Sequence, residues 1–121
     1  MITKNKKLAL KYHDYCLVCG KKNEHSWQLK FITNDNGITS TQFQSNSDFQ
    51  GYNGCLHGGI ITTLLDATMT HCLFDHGIVA MTGNLRVRFL QPIPCNSLLY
   101  IEARIMKSNK NLYVLRAEII F

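Results

Sequence analysis

Apolar and polar positions change their spacing several times along the chain. Gln28-Leu29-Lys30-Phe31-Ile32-Thr33 and Ile38-Thr39-Ser40-Thr41-Gln42-Phe43 read as two strands joined by Asn34-Asp35-Asn36-Gly37, whose residues tolerate turn conformations. Over residues 58–76 the spacing lengthens. Ile60, Ile61, Leu64, Leu65, Ala67, Met69, Cys72 and Leu73 suit a helix, and Gly77 stands where a C-terminal cap belongs. The apolar side chains lie almost all round this helix, so it must be covered on several sides. Residues 78–90, 98–107 and 112–121 then read as three long strands, parted by Gln91-Pro92-Ile93-Pro94-Cys95-Asn96 and Ser108-Asn109-Lys110-Asn111. The order strand, strand, helix, three strands predicts an α+β fold in which an antiparallel sheet wraps around one long central helix.

A length of 121 residues allows one domain, 1–121, in which residues 1–27 form a polar N-terminal segment ahead of the first strand. With 45% hydrophobic and 17% charged residues the chain has apolar mass for a core and is not a disordered segment. The formal charge of +5 is unevenly placed: residues 31–85 contain four Asp and no Lys or Arg, and the basic residues lie on either side. A polynucleotide binder concentrates its charge in a stripe, so this distribution excludes nucleic acid and suits a phosphate-bearing small molecule beside an uncharged pocket. The basic start lacks a signal-peptide apolar run, and no uncharged stretch is apolar enough to span a bilayer, so a cytoplasmic chain with no membrane partner is expected. Cys16, Cys19, Cys55, Cys72 and Cys95 make an odd, irregularly spaced set, which reads as reduced thiols.

The chemistry concentrates between residues 50 and 68. Glycine-rich chain opens into the helix at His57, and Gly58 and Gly59 leave N–H groups at the positive end of the helix dipole with no Cβ in the way, a site able to hold an oxyanion. Asp66 lies among Leu64, Leu65 and Ala67, where a carboxylate with no basic neighbour in sequence requires an explanation. Gly59 and Asp66 are seven residues apart and share a helix face, with Thr62, Thr63 and Thr70 beside them. Seven residues at 1.5 Å each put them ~10 Å apart, too far for both to touch one carbonyl. Two helices packed antiparallel about a two-fold axis would bring Gly59 of one copy opposite Asp66 of the other, which implies a homodimer with two shared sites if the pair is catalytic.

His57-Gly58-Gly59, Leu64-Leu65-Asp66-Ala67-Thr68, the run Ile78-Val79-Ala80-Met81-Thr82-Gly83-Asn84-Leu85 and Phe89-Leu90-Gln91-Pro92-Ile93-Pro94 give the chain its family likeness. Cys16-Leu17-Val18-Cys19-Gly20-Lys21-Lys22-Asn23 extends it towards the N-terminus. The chain resembles the PaaI-like acyl-CoA thioesterases of the hotdog-fold superfamily. The resemblance implies a hotdog domain that hydrolyses an acyl-CoA, with Asp66 as general base or nucleophile and the Gly59 N–H polarising the thioester carbonyl. It further implies that His57 braces the turn and that Thr82 helps hold the attacking water. Gln50, Asn53, Gly58, Thr63, Asn84, Arg86 and Arg88 are the expected substrate contacts; Arg86 and Arg88, with Lys107 or Lys110, would meet the coenzyme's phosphates.

Two departures from the family stand out. Where many members carry Asn, six residues before the histidine, this chain has Gly51, with Gln50 as the candidate substitute. The family's chain also runs on through one more strand where this sequence stops at Phe121, so the sheet is either a strand short or continues beyond the sequence read here. No metal or other cofactor is expected: Cys16 and Cys19, even with His13 and His25 nearby, form a single Cys pair, and His71 and His76 are off the i, i+4 spacing of helical ligands. A dimer of dimers is left open. The alternatives are a non-catalytic acyl-CoA-binding or sensor domain and a hotdog hydratase or dehydratase.

Overall fold

The computed structural model describes residues 4–121, with side chains from Leu8 onward; the start of the basic N-terminus, with the side chains of Lys4, Lys6 and Lys7, lies outside the described residues. Helix α1 (Lys4–Tyr12) leads into a turn-rich segment, then β1 (Ile32–Thr33), β2 (Thr39–Gln44), a short 3-10 turn (Ser47–Phe49), helix α2 (Gly58–Asp75), β3 (Leu98–Asn109) and β4 (Leu112–Ile120). The four strands form one antiparallel sheet in the order β1-β2-β3-β4. Helix α2 packs against β2, β3 and β4 on one side and α1 on another, as a helix apolar all round requires. No helix among the described residues is long and apolar enough to cross a membrane.

Helix α2 occupies nearly the span expected. Its core positions Ile61 and Leu64 join Phe43, Leu56, Ile93, Leu99 and Ile101 in the main hydrophobic cluster, with Trp27 and Phe49 packed against it. The threonines that interrupt its apolar pattern satisfy themselves: Thr62, Thr63, Thr68 and Thr70 each donate to the carbonyl four residues earlier, at 2.7–3.0 Å. Thr68 can thereby be fully buried without an orphaned hydroxyl. Gly77, at φ 78°, takes the left-handed conformation that ends the helix, and its N–H returns to the Phe74 carbonyl.

Three elements differ from expectation. The first strand shrinks to two residues because Gln28 adopts φ 50° and Trp27 and Leu29 send their N–H groups to the carbonyls of Leu17 and Val18 instead of into the sheet. Helix α1 was not expected from its polar composition; packing on α2 stabilises it. Residues 78–90 alternate like a strand yet form none. A ladder needs a partner edge about 4.8 Å away, and none of the described strands pairs with this segment, although β4 has one edge unpaired. This segment is held instead by the Ile78 N–H on the Leu73 carbonyl and by a side-chain bond to α2 described below. Within the β3–β4 pair the register slips between Ile105 and Lys107, leaving Met106 as an extra residue.

Candidate active site

The helix start is built by a reverse turn. Gly51 N–H donates to the Cys55 carbonyl, and the Gln50 side-chain oxygen accepts the Gly54 N–H at 3.0 Å. Gln50, the candidate substitute for the family's Asn, therefore braces the turn through its oxygen and retains only its NH2 as a donor. At Gly51 a Cβ would lie 3.3 Å from both the Cα and the ring of His57, which leaves little room for a larger side chain there. His57 then caps α2. Its backbone is extended (φ −64°, ψ 134°) and its Nδ1 accepts the Gly59 N–H at 2.8 Å. A ring accepting at Nδ1 carries its proton on Nε2, so His57 acts as the brace of this turn.

The Gly59 N–H was the expected donor, but it is engaged by the cap. The N–H of Gly58, one residue earlier and first in the helix, has no acceptor among the described residues. Of the two glycine N–H groups, that of Gly58 is therefore the one open to an external acceptor. The ring of Phe89 lies beside it, close enough that a Cβ on Gly58 would be 3.3 Å from Phe89 Cε1.

Asp66 is half-buried on α2, and Thr82, on the unpaired segment 78–90, donates its hydroxyl to Asp66 Oδ1 at 2.6 Å. The second carboxyl oxygen has no protein partner, and among the described residues Asp66 makes no ion pair. Thr82, expected to help hold the attacking water, here spends its hydroxyl on the carboxylate, and the bond joins segment 78–90 to the helix. Thr63 is committed to the Gly59 carbonyl at 2.8 Å. Asn53, Asn84, Arg86 and Arg88 are exposed, and neither arginine is ion-paired among the described residues. The structure therefore brings Asp66 to Thr82 and His57 to Gly59, but it leaves the two pairs seven residues apart along α2, ~10 Å at a rise of 1.5 Å per residue. That the Gly58 N–H is the open one follows from the general habit of an N-cap side chain to accept the second or third N–H of its helix, a signal the sequence already carries at His57.

Comparison with known proteins identifies the family and the fold. Residues 53–120, more than half the chain and spanning Gly58, Asp66 and Thr82, match the family model of the thioesterase superfamily. Acyl-coenzyme A thioesterase THEM4 of Rattus norvegicus is 40% identical over 65 residues, which cover 54% of this chain and 28% of that protein. The chain spans under a third of the length of the curated relatives it matches. Among solved structures, the E. coli PaaI protein from the phenylacetic acid degradation operon superposes with a TM-score of 0.77 at 19% identity, covering 97% of this chain and 81% of that one. A hypothetical thioesterase protein with coenzyme A from Streptococcus pneumoniae TIGR4 gives 0.70 at 17% identity, covering 76% and 74%. At these identities the superpositions show the fold alone, the antiparallel sheet around a central helix expected of a hotdog protein. By the match across residues 53–120, the chain belongs to the thioesterase superfamily.

Proposed function

We propose that the chain hydrolyses acyl-CoA thioesters at two sites shared between paired copies. The observation that carries this proposal is the 2.6 Å bond from Thr82 to Asp66, which orients a carboxylate with one oxygen left over, on the helix whose first N–H is also unengaged. Asp66 takes a proton from water that attacks the thioester carbonyl, or attacks it directly. The new C–O bond pushes negative charge onto the carbonyl oxygen, where the Gly58 N–H of the partner subunit and the helix dipole stabilise it. Collapse breaks the C–S bond: in the first course the coenzyme thiolate takes up the proton held on Asp66, and in the second it leaves an acyl–Asp66 anhydride that water cleaves to free acid and Asp66 carboxylate, one of the water's protons going to the thiolate.

Eight residues at 1.5 Å each separate Gly58 from Asp66 by ~12 Å, so the second copy is needed for one carbonyl to touch both. Support for that copy comes from the segment that carries Thr82, whose Val79, Met81, Phe89 and Leu90 are exposed apolar side chains, Met81 at 96%. The thioesterase names of the relatives, and the coenzyme A in the pneumococcal structure, favour an acyl-CoA over other thioesters. The test is a panel of short-chain, aromatic and long-chain acyl-CoAs assayed for free thiol. Release of coenzyme A from at least one is expected. Binding without release would make the domain a sensor, and water addition to an enoyl-CoA a hydratase.

Arg86 and Arg88 remain the candidates for the coenzyme's phosphates. Replacing both with Ala should raise KM for an acyl-CoA by roughly 5–10-fold at low salt with kcat little changed, because exposed charge-assisted contacts of this kind bind substrate and transition state alike. The difference should shrink as salt is added. An unchanged KM at low salt would remove both residues from the substrate site.

A further inference from the structure

The N-terminal segment gathers a second set of reactive side chains, on the α1 side of α2. The Cys-x-x-Cys-Gly run folds into a closed loop: Cys16 N–H donates to the His13 carbonyl, Gly20 N–H to the Cys16 carbonyl at 2.8 Å and Lys22 N–H to the Asp14 carbonyl at 2.8 Å. Only glycine fits at position 20, because a Cβ there would lie 2.5 Å from both the Asp14 carbonyl oxygen and the Cys16 nitrogen. This closure puts one ligand atom each of His13, Cys16 and Cys19 within 4.8 Å of one another. A fourth group arrives from 52 residues away: His71, buried on α2, places Nε2 3.1 Å from Cys19 Sγ.

The geometry points to a structural zinc site on the cluster of His13, Cys16 and Cys19, the cysteines as thiolates, with His71, which meets Cys19 Sγ but stands outside that cluster, drawn in by the ion as the fourth ligand and tying the N-terminal segment to the helix that carries Asp66. A tetrahedral zinc with bonds of ~2.3 Å to sulfur and ~2.0 Å to nitrogen sets its sulfur and nitrogen ligands ~3.6 Å apart. His13 Nδ1 is 3.6 Å from Cys19 Sγ, and His71 Nε2 is slightly closer at 3.1 Å. Two imidazoles on one such ion have ring centres about 5 Å apart, and those of His13 and His71 are 5.9 Å apart in an edge-on arrangement. The Cys16 sulfur also accepts the Val18 N–H at 3.3 Å, an outer contact that steadies a thiolate ligand. Stacking of His71 on Phe31 at 3.9 Å, nearly parallel, fixes the ring that would reach the ion. On binding, the two thiols release their protons to solvent, so Zn2+ with two thiolates is neutral and suits a half-buried position. A disulfide between Cys16 and Cys19 would leave the convergence of two imidazoles without a purpose. His25, near the pair in sequence, is exposed beside Glu24 and takes no part.

The test is the metal content of the full chain, produced without a histidine tag in zinc-supplemented medium and purified under reductant. About one zinc per chain is expected, falling below a fifth of that in Cys19→Ser and in His71→Asn and unchanged in His25→Ala. Titration of the metal-stripped wild-type chain with Co2+ gives a second measurement that needs no variant to fold. It should produce the ultraviolet thiolate-to-cobalt charge-transfer band and the visible bands of a tetrahedral site. Metal-free wild-type protein with no cobalt spectrum overturns the site, as does zinc retained in either ligand variant.

Discussion

Replacing Asp66 with Asn should lower turnover of an acyl-CoA by ~10²–10⁴, the range expected when a general base is removed, while the folded state is kept. Asparagine has nearly the same volume and can still present an oxygen to the Thr82 hydroxyl, which now reaches Asp66 Oδ1 at 2.6 Å. No ion pair among the described residues is lost with the charge. The loss should therefore fall on kcat, with KM nearly constant and the melting temperature within a few degrees of wild type by circular dichroism. What the substitution removes is the basic oxygen that has no protein partner and is the one available to water or to the carbonyl. Coenzyme A release within tenfold of wild type, measured on the most active acyl-CoA of the panel, would take Asp66 out of the chemistry.

The sequence shows some parts of this fold and hides others for physical reasons. Helix α2 is legible because its burial follows the helical period and because Gly77 marks its end in a conformation few other residues adopt. Strands β3 and β4 are legible from alternation, to within two residues at the ends. Residues 78–90 carry the same signal with a different outcome, since alternation reports a preference for pleated chain and not whether a strand pairs with it. Helix α1 escaped because its stability comes from contact with α2, a long-range fact that local composition does not contain. The site divides in the same way. Asp66 and the helix start could be placed by spacing along one helix, and Thr82 by family likeness. That the Gly59 N–H is consumed by the cap, or that His71 meets Cys19, depends on side-chain directions and on chain closure over dozens of residues.

Gly58→Pro tests both the proposed oxyanion donor and the shared site. Proline removes the N–H, and the first residue of a helix is the position where it is tolerated best, since that N–H has no partner in the helix. His57, at φ −64° and ψ 134°, already has the extended backbone that a residue before proline requires. The ring would press on Phe89, whose side chain is 58% exposed and can turn aside. The expected result is a fall of ~10²–10³ in kcat, as for loss of one oxyanion donor. Gly58→Ala makes the same contact with Phe89 but keeps the N–H, and should stay within a few-fold of wild type. Mixing then decides whether one site uses two chains. In a hybrid of Asp66→Asn with Gly58→Pro, one site carries both substitutions and the other has Asp66 from one chain and Gly58 from its partner, both intact. Random exchange puts half the dimers in hybrid form with one good site each, so an equal mixture of two inactive proteins should recover about a quarter of wild-type activity. If each chain held a complete site, hybrids would recover nothing. A silent mixture, with mixed-mass dimers confirmed by native mass spectrometry, would therefore rule out the shared site.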